Sequence, residues 1–296
     1  MDTTSPYHRQ VRLLNVLCPQ RRHRHQFIRD LPRLSVDIDL VYLPMEERDE
    51  ALKKIAEALS RIADAISKAM PDTEIIRSYE DQRDALRLFV TQAGDRIKVE
   101  LSPVLRGSVF PEERREVSPA VEEQFGYVEM QLLSIPDLYA GKICAALDRQ
   151  HPRDLFDVKL LLENEGLTKD LVKTFLVYLI SRNRTMAELL QPTRKDIAGI
   201  YEGEFLRMSQ IEVSLDELLA VRERLITELN QALTDDQRKF LLSFKTRRPR
   251  WDLLGIEGAN KLPAVRWKLH NLERMPEERH RRAYENLERV LVQKSK

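Results

Sequence analysis

From Glu46 to Met70 the apolar residues Leu52, Ile55, Leu59, Ile62 and Ile66 recur at intervals of three and four, which predicts an amphipathic helix stopped by Pro71. Just before it the period shortens to two. Between Leu34 and Leu43 polar and aliphatic side chains alternate, predicting a strand closed by Pro44, with Ser35, Asp37 and Asp39 on one face and Val36, Ile38 and Leu40 on the other. Upstream, Val11, Leu13, Leu14 and Leu17 predict a short helix that ends at Pro19, and the basic run from Arg21 to His25 reads as a solvated loop. Beyond the long helix, Glu74 to Tyr79, Leu86 to Gln92 and Ile97 to Leu101 are β-favouring runs. Ala93-Gly94-Asp95 supplies a hairpin turn between the last two.

After Pro136 the pattern turns helical, with helices expected near Leu138 to Arg149, Pro152 to Glu163, Lys169 to Ile180, Leu215 to Leu233 and Asp235 to Phe244, then a charged helical tail from Met275. The change of pattern places a domain boundary near residue 132, giving an α/β unit over 1–132 and a helical unit over 133–296. The fold class expected is α+β with a mixed sheet. A length of 296 residues suits two such units, and 42% hydrophobic with 33% charged residues suits a globular chain.

Charge changes the picture by what it excludes. Lys and Arg number 49 against 48 Asp and Glu, so no global field draws the chain to a polyanion, and any phosphate must be held locally. Cys18 and Cys144 are far apart and lack metal-ligand spacing, so both are expected to be reduced, buried thiols. The first residues lack the apolar core of a signal peptide and no apolar stretch is long enough to span a bilayer, so a cytoplasmic protein without membrane association is expected.

Three segments carry candidate chemistry. Two carboxylates on one strand face, Asp37 and Asp39, repel unless a cation lies between them, and Mg²⁺ is the natural partner for oxygen ligands; an acidic solvent-facing edge strand is the plainer alternative. In Ile97-Lys98-Val99-Glu100-Leu101 the same alternation pairs Lys98 with Glu100 on one face. If this strand lies beside the first, Glu100 becomes a third oxygen ligand; the alternative is a salt bridge between Lys98 and a neighbour. The third segment holds Lys142, then His151-Pro152-Arg153-Asp154-Leu155-Phe156-Asp157. Pro152 suits a first helical turn and Asp154 the helix dipole, whereas Asp157, one turn on, is placed to orient Lys142 or Arg153.

Taken in order, these segments resemble the AbiEii/AbiGii toxin family of nucleotidyltransferases. The likeness extends over Arg33 to Pro44, Ile97 to Gly107, Ile135 to Leu162 and Trp251 to Met275, including Leu253-Leu254-Gly255-Ile256 and Leu262 to Lys268. The resemblance implies a polymerase-β-like nucleotidyltransferase domain followed by a helical domain, with a nucleoside triphosphate and Mg²⁺ between them. It implies Asp37, Asp39 and Glu100 as metal ligands, and Asp37, Asp39, Lys142 and Asp154 as catalytic groups. Ser35, Lys98, Lys142 and Asp157 are the expected nucleotide contacts. It further implies transfer of a nucleotide to an acceptor hydroxyl, with RNA, and transfer RNA in particular, as the leading acceptor, and a separately encoded antitoxin as partner.

The chain departs from the family in one respect. Such enzymes place a Gly-Gly or Gly-Ser turn shortly before the Asp-x-Asp strand, where bare backbone can approach phosphate closely, but the first glycine here is Gly94. Two readings follow: an active transferase, or a catalytically degenerate member that binds nucleotide, RNA or a partner. A further basic and aromatic run, Lys245 to Trp251, is read as a solvated loop, with an RNA-contacting patch as the alternative.

Overall fold

Strand β1 (Asp37–Leu40) runs into helix α1 (Arg48–Ala69), whose Leu52, Ile55, Leu59, Ile62 and Ile66 are all buried along the stripe that their spacing prescribes. The computed structural model describes residues 37–81 and 86–292. The expected helix at Val11 to Leu17, the basic run from Arg21 to His25, Cys18 and Ser35 lie outside the described residues. Strand β2 (Glu74–Arg77) follows, then helix α2 (Ser78–Asp81), strand β3 (Arg87–Gln92) and strand β4 (Asp95–Leu101). The strand expected up to Tyr79 therefore stops at Arg77, and the chain turns helical at Ser78.

The four strands lie in the order β1-β4-β3-β2. β2, β3 and β4 are antiparallel neighbours, whereas β1 is parallel to β4, so the sheet is mixed as expected. Leu86, Leu88, Val90, Val99 and Leu101 form one buried cluster with the stripe of α1, and Ile38 and Leu40 of β1 pack against it. That packing commits the other face of β1 and β4 to the polar side, because a strand alternates its side chains.

The β3–β4 connection is a two-residue turn in which both central residues have positive φ, 49° at Ala93 and 84° at Gly94. Twisted strands favour such turns, but a Cβ at the first position is strained, and Asn tolerates it better than Ala. Ala93→Asn is expected to raise stability by about 0.5–1 kcal/mol in urea unfolding. Equal or lower stability would show that the turn carries no strain.

A small second sheet pairs strand β5 (Glu113–Glu116) with strand β6 (Glu129–Leu132), with helix α3 (Pro119–Phe125) between them. Sequence periodicity did not predict this hairpin. The rest is helical: α4 (Ile135–Asp148), α5 (Pro152–Asn164), α6 (Lys169–Ser181), α7 (Met186–Leu190), α8 (Ala198–Ile200) leading into a π-helical turn at Tyr201–Phe205, α9 (Leu215–Ala232), α10 (Asp235–Lys245), α11 (Pro263–Glu273) and α12 (Glu277–Val292). Ser134, Thr168, Ser214 and Thr234 cap α4, α6, α9 and α10, which is why these helices start where they do. Ile143 and Cys144 of α4, Phe156 and Leu161 of α5 and Phe175, Leu176 and Leu179 of α6 are fully buried in one core. No helix among the described residues is long and apolar enough to cross a membrane.

The described residues divide into two compact units, one within 1–107, 112–132 and 209–211, the other within 108–111, 133–208 and 212–296. Ser108–Pro111 belongs with the helices because the buried Asp137 carboxylate accepts from the Val109 and Phe110 N–H groups at 2.8 and 2.9 Å. The same carboxylate accepts from the Ser134 and Tyr178 hydroxyls at 2.8 and 3.1 Å, so a buried charge is fully hydrogen-bonded.

α11 is pinned to the end of α6 by Lys268, whose ammonium donates to the carbonyls of Arg182, Asn183 and Arg184. Burial, with the Lys245 ammonium adding repulsion, pushes Lys268 from its ordinary 10.5 down to about 8. The folded chain therefore binds this proton less readily than the unfolded chain does. Wild type should gain stability relative to Lys268→Met as pH rises from about 8 to about 10.5, and not below 8. A stability difference that stays constant across that window in urea unfolding would contradict this.

Candidate active site

The first constellation follows from the register of β1 and β4. Asp37 stands beside Lys98 and Asp39 beside Glu100, and parallel pairing in this register puts all four side chains on the face turned away from α1. Lys98 Nζ lies 2.6 Å from Glu100 and 3.9 Å from Asp37. The Asp37 and Glu100 side chains are 41% and 40% exposed, so this row is open to a solvent-borne ligand. Asp39, also exposed, completes it. Sequence reasoning held open both a carboxylate row and a Lys98 salt bridge, and both are present at once. The expected convergence of three carboxylates is not: among the described residues no group of three His, Cys, Asp or Glu side chains is close enough to hold a metal ion. Like-charged carboxylates repel, and the Lys98 ammonium lies between Asp37 and Glu100 as their counter-charge.

The exit from β1 is fixed by a polar knot. The Tyr42 hydroxyl donates to Glu46 at 2.7 Å, Lys54 donates to the same carboxylate at 2.6 Å, and Arg106 Nη1 donates to the Glu46 carbonyl at 3.1 Å. The Gly107 N–H closes the knot on the Tyr42 carbonyl at 2.8 Å. The Lys54 and Tyr42 hydrogen bonds hold the Glu46 carboxyl below its ordinary value, while burial, then Glu46, pushes the Tyr42 phenol up. Desolvation lowers Arg106, a guanidinium that is 6% exposed. Asp37 and Asp39 are thereby carried on a strand that is hydrogen-bonded on one side and tied down at its end.

The second constellation joins α4 and α5. Lys142 of α4 and Arg149, its helical C-cap residue, are seven residues apart, and Asp154 and Asp157 three apart on α5, so each pair lies on one face of its helix. Because the two helices run antiparallel, Lys142 meets Asp157 and Arg149 meets Asp154. Pro152 occupies the first turn of α5, and His151 caps it, its Nδ1 accepting from the Arg153 N–H at 3.1 Å. Of the two expected partners for Asp157, Lys142 is the one engaged. Asp157 is 1% exposed and Lys142 11%, which makes this a buried ion pair rather than a snorkelling lysine. The pairing of Asp154 with Arg149, 2.8 Å at Nη2, was missed by sequence reasoning, although the seven-residue spacing from Lys142 could have signalled it.

The run from Lys245 to Trp251 is not an exposed RNA patch. Trp251 packs on Phe240 and Phe244 with ring centroids 5.5 and 6.2 Å apart, and Lys245 is buried. Arg247 donates to the Leu272 and Met275 carbonyls at 3.0 Å each and pairs with Glu277, while Arg250 pairs with Asp252. Aromatic packing and carbonyl capping use Trp251 and Arg247 structurally, while Arg248 and Arg250 remain exposed.

The profile of the nucleotidyl transferase AbiEii toxin family of type IV toxin–antitoxin systems matches residues 25–271. The chain belongs to the AbiEii family. The nucleotidyltransferase toxin MenT4 from Mycobacterium tuberculosis is similar in structure, with a TM-score of 0.51 and 15% sequence identity over 90% of this chain and 81% of that one. At that identity the likeness speaks for the α+β fold. No curated protein sequence matches the chain. The donor atoms of the first constellation, hard carboxylate oxygens on adjacent strands and open to solvent, are of the type that binds divalent cations, but as placed they are not gathered into a group of three and Lys98 is their present counter-charge.

Proposed function

We propose that this AbiEii-family chain is an enzyme, a cytoplasmic nucleotidyltransferase toxin that moves a nucleotide from a nucleoside triphosphate to an acceptor hydroxyl of RNA, transfer RNA being the leading acceptor. A separately encoded antitoxin restrains it. The observation that carries the reading is the row Asp37, Asp39 and Glu100 on two parallel strands with Lys98 among them. In the reaction the acceptor hydroxyl gives up its proton to solvent as its oxygen bonds to the α-phosphorus, the bond from that phosphorus to the bridging oxygen breaks, and pyrophosphate leaves with its electron pair.

Asp37, Asp39 and Glu100 would hold Mg²⁺, which supplies positive charge to the triphosphate and the attacking oxygen. Lys98, beside the row, exchanges its carboxylate partners for phosphate oxygens as the triphosphate enters. Lys142 carries the second cation, balancing charge on the pyrophosphate; Asp157 fixes its position and Asp154 steadies the turn before it. Ser35 precedes the row as a further nucleotide contact.

The test is incubation of the purified chain with Mg²⁺, each labelled triphosphate and total RNA. Label is expected in RNA with wild type and not with Asp37→Ala; equal labelling by both would reject the transferase reading. The missing glycine turn, with no glycine before Gly94, favours a second reading in which the fold is kept for binding alone. Calorimetry separates the two, since tight, Mg²⁺-dependent triphosphate binding is expected of a working site and not of a degenerate one.

A further inference from the structure

Helix α11 presents a solvent face that nucleotide transfer does not use. At roughly 100° per residue, Arg266, His270, Arg274, Trp267 and Asn271 fall within one arc of roughly 140°. The helix's one acid, Glu273, is exposed and lies roughly 20° beyond Arg266, at the edge of that arc. Trp267 is 50% exposed, and its ring stacks on the His270 imidazole with centroids 5.8 Å apart and planes 27° from parallel. Arg266 and Arg274 are exposed, and neither forms an ion pair among the described residues.

The opposite side of the helix is firmly held. Val265 and Leu272 are buried in the main core, and Lys268 is anchored on three carbonyls at the end of α6. A half-exposed indole is thus displayed on a fixed support, already stacked on one side, between two guanidinium groups that form no ion pair among the described residues. Exposing so much indole surface is unfavourable in water unless something covers it.

We infer that this face docks a single-stranded nucleic acid, one base stacking on the Trp267 ring while neighbouring phosphates meet Arg266 and Arg274. The chemistry favours such a strand over a protein partner. The arc carries no exposed aliphatic residue for an apolar partner to bury, whereas flat rings and exposed guanidinium groups on one face match the alternating bases and phosphates of a strand. The inference does not rest on the transfer reading, because docking here requires neither triphosphate nor divalent ion.

Fluorescence anisotropy of the full-length chain with an end-labelled RNA oligonucleotide of mixed sequence, without Mg²⁺ or triphosphate and over a range of KCl, tests it. Trp267→Ala is expected to weaken binding by roughly ten- to hundredfold at every salt concentration, and Trp267→Phe to recover most of that loss. Arg266→Ala combined with Arg274→Ala should lower the slope of log K against log salt by about 1.4, the contribution of two phosphate contacts on a single strand. Because these residues are exposed, thermal unfolding of the variants should match wild type. Unchanged affinity in Trp267→Ala together with an unchanged salt slope in the double variant would overturn the inference and leave the face to a protein partner.

Discussion

Asp37→Ala is expected to abolish most nucleotide transfer, lowering kcat by about 10²–10³-fold or more while leaving the fold intact. The two halves of this expectation have separate causes. The Asp37 side chain is 41% exposed and only 3.9 Å from Lys98, so its removal takes away a weak surface contact, worth about 0.5 kcal/mol or less. Its part in the proposed reaction is to help neutralise charge that builds up in the transition state, and losing one such preorganised group typically removes about 3–4 kcal/mol of stabilisation. Asp39→Ala should behave alike. Glu100→Gln should cost less in transfer, because the carboxylamide keeps one oxygen beside Asp39. Single-turnover rates with labelled triphosphate, alongside urea unfolding, check both halves. An Asp37→Ala protein that unfolds more readily but transfers normally when folded would assign the row to stability instead.

Asp157→Ala is expected to show the opposite balance, with a stability loss of about 3–5 kcal/mol. The carboxylate is 1% exposed and faces a lysine that is 11% exposed, so the substitution leaves an ammonium near the core without its principal counter-charge. Replacing both members, with Lys142→Met and Asp157→Leu, should return much of the stability, because a buried ion pair is often matched by apolar side chains of similar volume. Activity should not return with it, since Lys142 is the proposed cation for the departing pyrophosphate. A double variant as stable as wild type and fully active would reduce the pair to scaffolding. Urea midpoints read the first outcome and transfer rates the second.

How much of this was legible in the sequence depended on how far each element's pattern reflects its own burial. α1 and α4 to α6 were legible because one-sided burial imposes a three-to-four spacing on Leu, Ile and Val, and the same logic set the Asp37 and Asp39 face opposite Ile38 and Leu40. β5 and β6 were not legible. Glu-Arg-Arg-Glu has no apolar residue and Glu-Met-Gln-Leu alternates over only four positions, too few to mark a strand by themselves; the two form strands by pairing with each other over a small cluster of Val117, Val121, Met130 and Leu132. Partner choice was legible only where local geometry limits it. The parallel placement of β1 beside β4 was one of several arrangements the sequence allowed, and the seven-residue spacing of Lys142 and Arg149 points to Asp154 only when it is combined with antiparallel packing of α4 on α5. The Lys245 to Trp251 run misled because charge and aromatic content alone do not say whether a ring faces solvent or, as Trp251 does, Phe240.

The most direct test of the carboxylate row is an electron paramagnetic resonance titration of Mn²⁺ with the full-length chain and a non-hydrolysable triphosphate. Wild type is expected to bind the ion in the presence of the triphosphate, and Asp37→Asn, Asp39→Asn and Glu100→Gln each to weaken that binding about tenfold or more. Mn²⁺ binding that is equal in wild type and all three variants, or that never depends on the triphosphate, would contradict it.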